Sequence, residues 1–481
     1  MDKEKRLSQL FENWANEKVE SFTSLPPSGS YREYYRIKGK SKQAIGTYNH
    51  DKKENIAFLE FSKHFFELNL NVPEIYLTDI ENCFYLLEDL GDITLFCILK
   101  KEKKENTFSE NLINIYRSII EELPKFQIQG NKNLNYEVCY PRKKFDRQSM
   151  MWDLNYFKYY FLKLVKIHFD EQLLENDFNT LSDFLLTAET DYFLYRDFQS
   201  RNIMLKNNKP YFIDYQGGRK GALQYDIVSL LYQAKANIPV AIRQELLKHY
   251  INTAKQYTEI DEQKFIEHYY GYALIRTMQV LGAYGFRGVY EKRSHFLQSI
   301  PYAINNIKWL LNNAKFQIEI PTLLHVLDKI VKSEYLQKIG KTNLPTTSEL
   351  TITINSFAFK NGIPEDNSGN SGGFVFDCRA IPNPGKFDEY KHLNGKDKPV
   401  IDFLNKEPEA EQFLQNAYSI IDASVEKYIS RNFTNLMINF GCTGGQHRSV
   451  FCAENLTQHL KGKYNITVDL DHREKNNWQK E

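Results

Sequence analysis

The chain has 481 residues, with 62 Lys and Arg against 61 Asp and Glu, and a formal net charge of +1. This balance argues against a surface dominated by one sign of charge, as nucleic-acid and membrane-surface binders carry. The first residues are charged and no apolar run is long enough to span a bilayer, so we expect neither a secretory signal nor a membrane span. The six cysteines show no zinc spacing, and we expect free thiols in a reducing cytoplasm.

The first ninety residues predict a small lobe of strands and helices. Residues 4–20 and 55–68 have apolar side chains at helical spacing, and residues 43–48 read as a strand. Ser28, Gly29 and Ser30 form a candidate tight turn that would place backbone amides over phosphates. Glu54 and Glu60 are acidic candidates near the second helix, where such charges are usually solvated.

The next segments predict a hinge and a helical lobe. Residues 82–92 read as a buried strand that runs into an acidic, glycine-containing hinge. Residues 93–190 and 223–330 have apolar side chains at mixed spacings of three and four, which is typical of helices. Asp226 begins one of these helical runs, where it would cap the helix or brace the loop before it.

Three polar residues, Asp197, Asn202 and Asp214, are flanked by short strands. Phosphoryl transfer from Mg-ATP requires a carboxylate that takes the acceptor proton and two oxygen ligands for Mg2+. Either this chemistry or a β-hairpin with incidental acids would account for the pattern. The spacing and the two glycines after Asp214 favour the kinase interpretation.

Three motifs resemble the aminoglycoside phosphotransferase/choline kinase superfamily: Leu-Leu-Glu-Asp-Leu-Gly-Asp (86–92), Tyr-Arg-Asp-Phe-Gln-Ser-Arg-Asn (195–202) and Ile-Asp-Tyr-Gln-Gly-Gly (213–218). The resemblance covers about residues 5–335 and implies an α+β protein-kinase-like fold of two lobes, a small lobe to about residue 91 and a helical lobe from 92 to 335. It implies ATP and Mg2+ as cofactors. The motifs themselves leave the choice between ATP and GTP open. The resemblance also implies Asp197 as catalytic base, Asn202 and Asp214 as metal ligands, and nucleotide contacts from Ser28, Gly29, Ser30, Glu88 and Leu90.

The chain departs from the superfamily pattern at three places. The strand at 43–48 lacks the phosphate-binding lysine of protein kinases, although Lys42 and Lys52 flank it. Tyr195 stands where the family usually has His, and Tyr215 where it has Phe or Trp. The missing lysine is shared with sugar kinases that phosphorylate the anomeric hydroxyl of N-acetylmuramate and N-acetylglucosamine, which this chain resembles most.

A polar stretch separates this region from the rest of the chain. We place a linker at 336–349, after a first domain at 1–335, and a second domain at 350–481. In the second domain, the residue pattern predicts strands at 351–359, 374–379 and 436–441, and helices at 408–428 and 450–460. Alternating strands and helices predict a smaller α/β domain.

The segment Gly-Cys-Thr-Gly-Gly-Gln-His-Arg-Ser (441–449) lies between a predicted strand and a predicted helix. Unpaired amides and the helix dipole make such a turn an anion cradle, to which His447 and Arg448 would add charge-assisted donors. A plain glycine-rich connector is the alternative. Cys442 and Arg448 also have the Cys-x5-Arg spacing of cysteine phosphatases, so catalysis and binding are both open on the residues alone.

A second resemblance, over about 350–475, is to the C-terminal domain of the bacterial RNase adapter RapZ. It rests on residues 356–362, 377–384, 441–449 and 471–473, although Gln446 replaces the usual Lys. It implies a phosphosugar pocket for glucosamine-6-phosphate and a possible contact with small RNA. The pocket residues that it implies are Arg379, Asn383, Cys442, Thr443, Gly444, Gly445, His447, Arg448, Ser449, His472 and Arg473.

The RNA contact is disfavoured by charge, because residues 349–481 contain 15 Lys and Arg against 18 Asp and Glu. The P-loop motif of the RapZ N-terminal domain is missing as well. We therefore predict an ATP- and Mg2+-dependent kinase for a small amino sugar, coupled to a phosphosugar-sensing domain. A nucleotide-binding adapter without turnover and a phosphatase that uses Cys442 are the alternatives.

Overall fold

The computed structural model describes residues 3–26, 32–104, 108–291, 293–339, 350–366, 368, 372–431, 433–464 and 466–478. The chain divides into two compact units, one of Met1–Phe286 with Ser299–Ile339 and one of Arg287–Gln298 with Gly340–Glu481. None of the described helices is long and apolar enough to cross a membrane.

The α-helices in chain order are α1 (Lys3–Ala15), α2 (Lys52–Glu67), α3 (Leu95–Lys104), α4 (Glu110–Pro124), α5 (Arg147–Phe157), α6 (Glu171–Leu185), α7 (Gln224–Leu231), α8 (Val240–Ala254), α9 (Glu262–Tyr284), α10 (Ser294–Leu297), α11 (Ile300–Asn313), α12 (Pro321–Lys332), α13 (Glu334–Lys338), α14 (Lys398–Leu404), α15 (Pro408–Ser430) and α16 (Arg448–Lys463). The strands are β1 (Ser21–Ser24), β2 (Glu33–Lys38), β3 (Gln43–Tyr48), β4 (Ile75–Asp79), β5 (Phe84–Leu87), β6 (Tyr192–Leu194), β7 (Ile203–Lys206), β8 (Lys209–Phe212), β9 (Arg219–Gly221), β10 (Thr351–Ala358), β11 (Gly373–Asp377), β12 (Asn435–Cys442) and β13 (Thr467–His472).

The small lobe of the first unit is a five-stranded antiparallel sheet in the order β1-β2-β3-β5-β4. Helix α1 covers one face, where Leu7 and Phe11 pack with Ile37 and Phe84 in one buried cluster. Gly46 lies on this face, because a Cβ built on it would touch the Leu7 side chain. Since side chains alternate along a strand, the flanking residues of β3 point to the opposite face.

The helical lobe of the first unit surrounds two short β-ribbons, β6–β9 and β7–β8. The ribbons present the predicted catalytic segment, and aromatic rings fill the space beneath it. Phe126, Phe193 and Phe198 all lie within ring-contact distance of Tyr195 and are fully buried. The burial of these aromatic rings stabilises the base of the segment.

The second unit contains a four-stranded, fully parallel sheet in the order β11-β12-β10-β13. A buried amide pair joins the two central strands: Asn355 Nδ2 donates to Asn439 Oδ1 at 2.8 Å. Because all four strands are parallel, their carboxyl ends meet at one edge of the sheet. Ligands of open α/β sheets bind at that edge.

Most predicted elements match the structure closely. The predicted strand at 43–48 is β3, and the predicted helix at 408–428 is the longer α15. The sequence analysis did not identify β1, β4, β9 or β13. The predicted domain bounds at 1–335 and 350–481 stay predictions, and most of the linker, 340–349, lies outside the described residues.

Candidate functional site

The loop after β6 is braced from beneath by Asp226, in the first turn of α7. Its carboxylate accepts hydrogen bonds from the backbone N–H groups of Tyr195 at 2.8 Å and Arg196 at 3.0 Å. Gln127 Nε2 donates a third bond at 3.0 Å. Asp226 is fully buried, and this burial raises its pKa to about 7. Of its two expected roles, the brace is therefore the one that these contacts support.

Arg196 adopts a left-handed backbone conformation, with φ of 80°. Its guanidinium donates to both carboxylate oxygens of Asp153 on α5, at 2.8 and 2.9 Å, and to the hydroxyl of Tyr225. A non-glycine residue at positive φ is strained, and such strain persists where the surroundings fix it. The bidentate ion pair and the Asp226 brace supply that constraint.

The two tyrosines that depart from the superfamily pattern have structural partners. Tyr195 is buried and its hydroxyl donates to the carbonyl oxygen of Ile213 at 2.6 Å, which ties the catalytic loop to the strand before Asp214. The hydroxyl of Tyr215 lies 2.6 Å from Ser62 Oγ on α2. Both substitutions therefore add hydrogen bonds between elements around the site.

Asn202 brings the three predicted phosphotransfer residues together. Its Nδ2 donates to the backbone oxygen of Asp197 at 2.9 Å and to Asp214 Oδ2 at 3.0 Å. Burial, and then the charge of Asp197, raise the pKa of Asp214. A divalent cation would offset this clustered negative charge, and an amide and a carboxylate are oxygen donors that suit Mg2+. The residues present thus fit the metal that the motif implies.

Asp197 keeps access to solvent, with 46% of its side chain exposed. Arg276 on α9 is its cationic neighbour, with Nη2 at 3.7 Å from Asp197 Oδ1. Arg276 Nε also donates to Ser229 Oγ at 2.9 Å. The sequence analysis missed Arg276, because a single arginine within an apolar helix carries no motif.

A second set of contacts surrounds the other oxygen of Asp214. Gln216 Nε2 donates to Asp214 Oδ1 at 2.7 Å and to Glu54 Oε1 at 3.3 Å. Asn49 Nδ2 donates to Glu54 Oε2 at 2.7 Å. Arg32, which precedes β2, lies between the acids, 3.4 Å from Glu54 and 3.9 Å from Asp214. Glu54 is therefore part of the site and not the solvated charge that we expected.

The predicted hinge follows β5. Glu88 forms an ion pair with Lys206 at 2.6 Å, its N–H donates to the carbonyl of Glu74, and Leu90 is buried. Arg36 on β2 is paired with Asp89 at 2.7 Å and Asp92 at 2.9 Å. Arg36 lies on β2 of the small lobe and Lys206 on β7 of the helical lobe, so these contacts join the hinge to both lobes. Ser28, Gly29 and Ser30 lie outside the described residues.

In the second unit, the sulfur of Cys442 lies at the centre of the predicted anion loop. Cys442 ends β12, and its Sγ accepts a hydrogen bond from the Gly445 N–H at 3.2 Å and lies 3.1 Å from Ser449 Oγ. Gly445 has φ of 69°, a conformation that favours glycine. Thr443 and Gly444 are exposed at the rim of the loop.

Arg448 opens α16 and is 5% exposed. Its Nη1 donates to the carbonyl oxygens of Arg379 and Ile381, both at 3.0 Å, and its Nη2 lies 3.5 Å from Thr443 Oγ1. Its Nε has no hydrogen-bond partner among the described residues. Arg448 therefore joins the loop after β11 to the anion loop, with one buried donor left for a ligand.

Two other loop residues are turned toward residues 390–395. Gln446 Nε2 donates to the carbonyls of Lys391 and Leu393 at 3.1 and 2.7 Å, which gives the residue in place of the family's lysine a structural role. His447 Nε2 lies 2.8 Å from the carbonyl oxygen of Tyr390. Burial lowers the pKa of His447, which disfavours the charged form of the ring. The expected role of His447 as a charge-assisted donor stays a prediction.

The remaining predicted pocket residues lie at the carboxyl edge of the sheet but are engaged with neighbours. Arg379 pairs with Asp377 at 2.6 Å and stacks on the Phe359 ring at 4.5 Å. The ring nitrogens of His472 lie 2.8 Å from Ser356 Oγ and 3.1 Å from Glu454 Oε1.

Two predicted pocket residues are more accessible. Asn383 is partly buried in the segment after β11, and Arg473 is exposed just after β13. The arrangement is a loop with buried cationic support and a polar, partly exposed rim.

Comparisons with known proteins agree with both units. Residues 25–262 match the sequence model of the phosphotransferase enzyme family, and residues 350–476 match that of the RapZ C-terminal domain. Both predicted family resemblances are thereby confirmed, and with them the fold class, a kinase-like α+β domain followed by a smaller α/β domain.

Among curated relatives, a nucleotide-binding protein from Hahella chejuensis is 40% identical over 128 residues, which cover 27% of this chain and 43% of the relative. A nucleotide-binding protein from Pseudothermotoga lettingae is 33% identical over 192 residues, 38% of this chain and 63% of the relative. The chain thus spans only part of the length of these relatives.

Among solved structures, choline kinase LicA from Streptococcus pneumoniae is similar at a TM-score of 0.41 and 15% identity, over 64% of this chain and 99% of that one. An ethanolamine kinase from Plasmodium vivax is similar at a TM-score of 0.43 and 12% identity, over 60% of this chain and 82% of that one.

We predict that Asp226→Ala destabilises the first unit, because it leaves two buried N–H groups of the catalytic loop without an acceptor. The expected loss in the free energy of unfolding is about 2–3 kcal/mol. Urea denaturation followed by circular dichroism, with hydrogen exchange of residues 192–202, measures both effects. Asp261→Ala, which removes an exposed helix cap, is the control and leaves exchange of the loop unchanged. Unchanged exchange in Asp226→Ala would contradict the assigned brace.

We predict that Gly445→Ala opens the anion loop, whereas Gly444→Ala does not. A Cβ on Gly445 would lie 2.4 Å from Glu474 Cγ, and the positive φ adds a cost of about 1–2 kcal/mol. A Cβ on Gly444 meets no heavy atom within 4 Å. Hydrogen exchange of residues 436–463 distinguishes the two variants, and equal protection in both would be inconsistent with the described loop.

Proposed function

We propose, for a chain that joins a phosphotransferase-family domain to a RapZ C-terminal domain, that the protein is an ATP-dependent kinase for a hydroxyl of a small amino sugar. The observation that carries the proposal is the Asn202 amide, which holds Asp197 and Asp214 side by side. A proton acceptor and metal ligands held in one site are the parts that phosphoryl transfer requires of a protein.

In the proposed reaction, the half-exposed carboxylate of Asp197 orients the acceptor hydroxyl and takes its proton. The acceptor oxygen then forms a bond to the γ-phosphorus of ATP, while the bond from that phosphorus to the β,γ-bridging oxygen breaks and ADP leaves. Arg276, 3.7 Å from Asp197, is the cationic side chain beside the carboxylate that the step uses. The hydrogen bond from Arg276 to Ser229 fixes the orientation of the guanidinium beside Asp197.

Asn202 and Asp214 would hold Mg2+, whose chemical contribution is to neutralise charge on the phosphate oxygens. Gln216 and Asn202 each donate to one oxygen of Asp214, so the carboxylate is oriented from both sides. No cluster of three or more acidic, His or Cys ligands occurs among the described residues. A site with few protein ligands suits a magnesium ion that phosphate oxygens and water complete.

The acceptor class rests on the combination of the two domains. The kinase motifs resemble those of sugar kinases acting on N-acetylmuramate and N-acetylglucosamine, and the C-terminal motifs resemble a domain for glucosamine-6-phosphate. We propose a cytoplasmic enzyme of amino-sugar and cell-wall precursor metabolism, whose second domain senses a phosphorylated amino sugar. The buried Nε of Arg448 and the first turn of α16 would receive the phosphate.

Phosphate-ester hydrolysis at Cys442 is the second candidate, favoured by the surroundings of the sulfur. An N–H and a hydroxyl lie within 3.2 Å of Sγ, and both would stabilise a thiolate. The thiolate would form a bond to phosphorus as the ester P–O bond breaks, the leaving alcohol would take a proton from an acid, and water would then release phosphate. That acid would lie beside the leaving oxygen, and no contact of the described loop residues assigns a residue to this role, so binding is kept as the first proposal.

A regulator that binds nucleotide without turnover is the third candidate. Its support is the name of the curated relatives, which are called nucleotide-binding proteins, and the absence of a lysine from β3. Turnover at Asp197 would exclude it.

The test of the kinase is ADP release from Mg-ATP across a panel of amino sugars. We expect turnover with N-acetylmuramate or N-acetylglucosamine and a fall of about a thousandfold in Asp197→Asn, because the amide cannot accept the proton. ATP binding should persist in the variant. Asp191→Asn is the matched control, since this exposed residue at the start of the same segment pairs with Lys220. No turnover with any sugar, in a protein that binds ATP, would favour the regulator.

The variant Cys442→Ser distinguishes a second domain that only binds a phosphosugar from one that hydrolyses phosphate esters. If the second domain only binds, wild type does not hydrolyse p-nitrophenyl phosphate, and the variant keeps its affinity for glucosamine-6-phosphate within about threefold. Serine retains a hydroxyl that can pair with Ser449, so the loop is expected to survive the change. Hydrolysis by wild type that disappears in Cys442→Ser would establish the phosphatase.

A further inference from the structure

The absence of a lysine from β3 leaves the proposed kinase without the side chain that normally holds the nucleotide phosphates from the small lobe. The two lysines that flank β3 do not fill the position. Lys52 pairs with Glu81 at 2.8 Å, and Lys42 lies over the Trp14 ring at 5.2 Å. A cation for the phosphates must come from another part of the small lobe.

Arg32 is placed for this role. It is 3% exposed and directly precedes β2, and its guanidinium lies 3.4 Å from Glu54 on α2 and 3.9 Å from Asp214. The guanidinium also lies over the Phe58 ring at 5.6 Å. It therefore connects the small lobe to the proposed metal ligand of the other lobe.

The strand register places Arg32 on the face of the sheet that is opposite α1. Tyr34 pairs with Thr47, and Thr47 pairs with Tyr85, so these three side chains share one face. Arg32 precedes Tyr34 by two residues and donates to its hydroxyl at 3.4 Å. Gly46 points to Leu7 on α1, which places its neighbour Thr47 on the other face, beside Arg32.

Glu54 is held so that it can position this arginine. Asn49 donates to one of its oxygens and Gln216 to the other, and Gln216 also donates to Asp214. The four side chains Arg32, Glu54, Gln216 and Asp214 thus form a closed circuit of polar contacts. A guanidinium fixed by a carboxylate on a helix presents a planar fork that suits two phosphate oxygens.

We propose that Arg32 is the phosphate-binding cation of the nucleotide site, that it takes the part of the missing strand lysine from the adjacent strand, and that Glu54 positions it. The proposal rests on the proposed kinase function only in that the site binds a nucleoside triphosphate. It assigns the contact to the phosphates and not to the base or the ribose.

The experiment compares ATP and adenosine binding to the full chain in the presence of Mg2+, by calorimetric titration. Arg32→Gln should weaken ATP binding by about tenfold or more and leave adenosine binding unchanged, because only ATP carries the phosphates. Arg32→Lys keeps the positive charge, and its affinity for ATP should lie between those of wild type and Arg32→Gln. Arg6→Gln is the matched control, since this arginine on α1 pairs with Asp79. Adenosine binding reports that each variant is folded around the nucleotide site.

A rescue variant tests the placement. Arg32→Gln/Thr47→Lys puts an ammonium on β3 beside the same position, and ATP affinity should recover in part. Equal ATP affinity in wild type and Arg32→Gln, an equal loss of ATP and adenosine, or no recovery in a double variant that still binds adenosine would each overturn the role of Arg32. A wild-type protein that binds adenosine but not ATP would overturn both this role and the proposed kinase.

Discussion

The first unit depends on one amide group, the Nδ2 of Asn202, which bonds the backbone of Asp197 and the carboxylate of Asp214 at the same time. Arg196 and Asp214 both adopt positive φ, 80° and 71°, a conformation that costs free energy at non-glycine residues. The two loops keep it because neighbouring side chains fix them: Asp226 bonds the loop of Arg196 from beneath, and Gln216 bonds both Asp214 and Glu54 on α2. The proposed proton acceptor and the proposed metal ligand are thereby joined through one residue before any substrate arrives, and such preorganisation is what phosphoryl transfer uses.

In the second unit, hydrogen bonds also fix the side chains of a candidate site, but on a different fold. A parallel sheet brings the ends of four strands to one edge, where the anion loop, the segment after β11 and the residues after β13 meet. Much of the polar capacity of this edge is used internally: His472 bonds Ser356 and Glu454, and Gln446 and His447 hold residues 390–395. Among the described residues, a ligand could still reach the rim at Thr443 and Gly444, the helix terminus, one buried donor of Arg448, and the accessible side chains of Asn383 and Arg473. That inventory suits a small anion better than a polynucleotide, which needs a wide cationic surface.

The sequence could predict those parts of the site that are close together along the chain. Asp197, Asn202 and Asp214, and the loop at 441–449, combine polar residues with strand flanks, and both regions are loops at strand ends in the structure. Arg32, Glu54 and Arg276 could not be predicted with confidence, because they reach the site by tertiary packing. The charge expected for His447 stays a prediction for a related reason: its pKa is lowered by burial, which the sequence does not contain. Strands β1, β4, β9 and β13 were not predicted, because they are short and each has few apolar residues.

The most direct test of the account is to follow the phosphoryl group itself. Full-length protein would be incubated with Mg2+, ATP labelled in the γ-phosphoryl group, and N-acetylmuramate or N-acetylglucosamine, and the sugars would then be separated. The account predicts label on the sugar, in a phosphate ester that forms with wild type. Label that stays in ATP, or that appears only as inorganic phosphate while ATP is bound, would contradict the assignment of Asp197, Asn202 and Asp214 as a phosphotransfer centre for these acceptors.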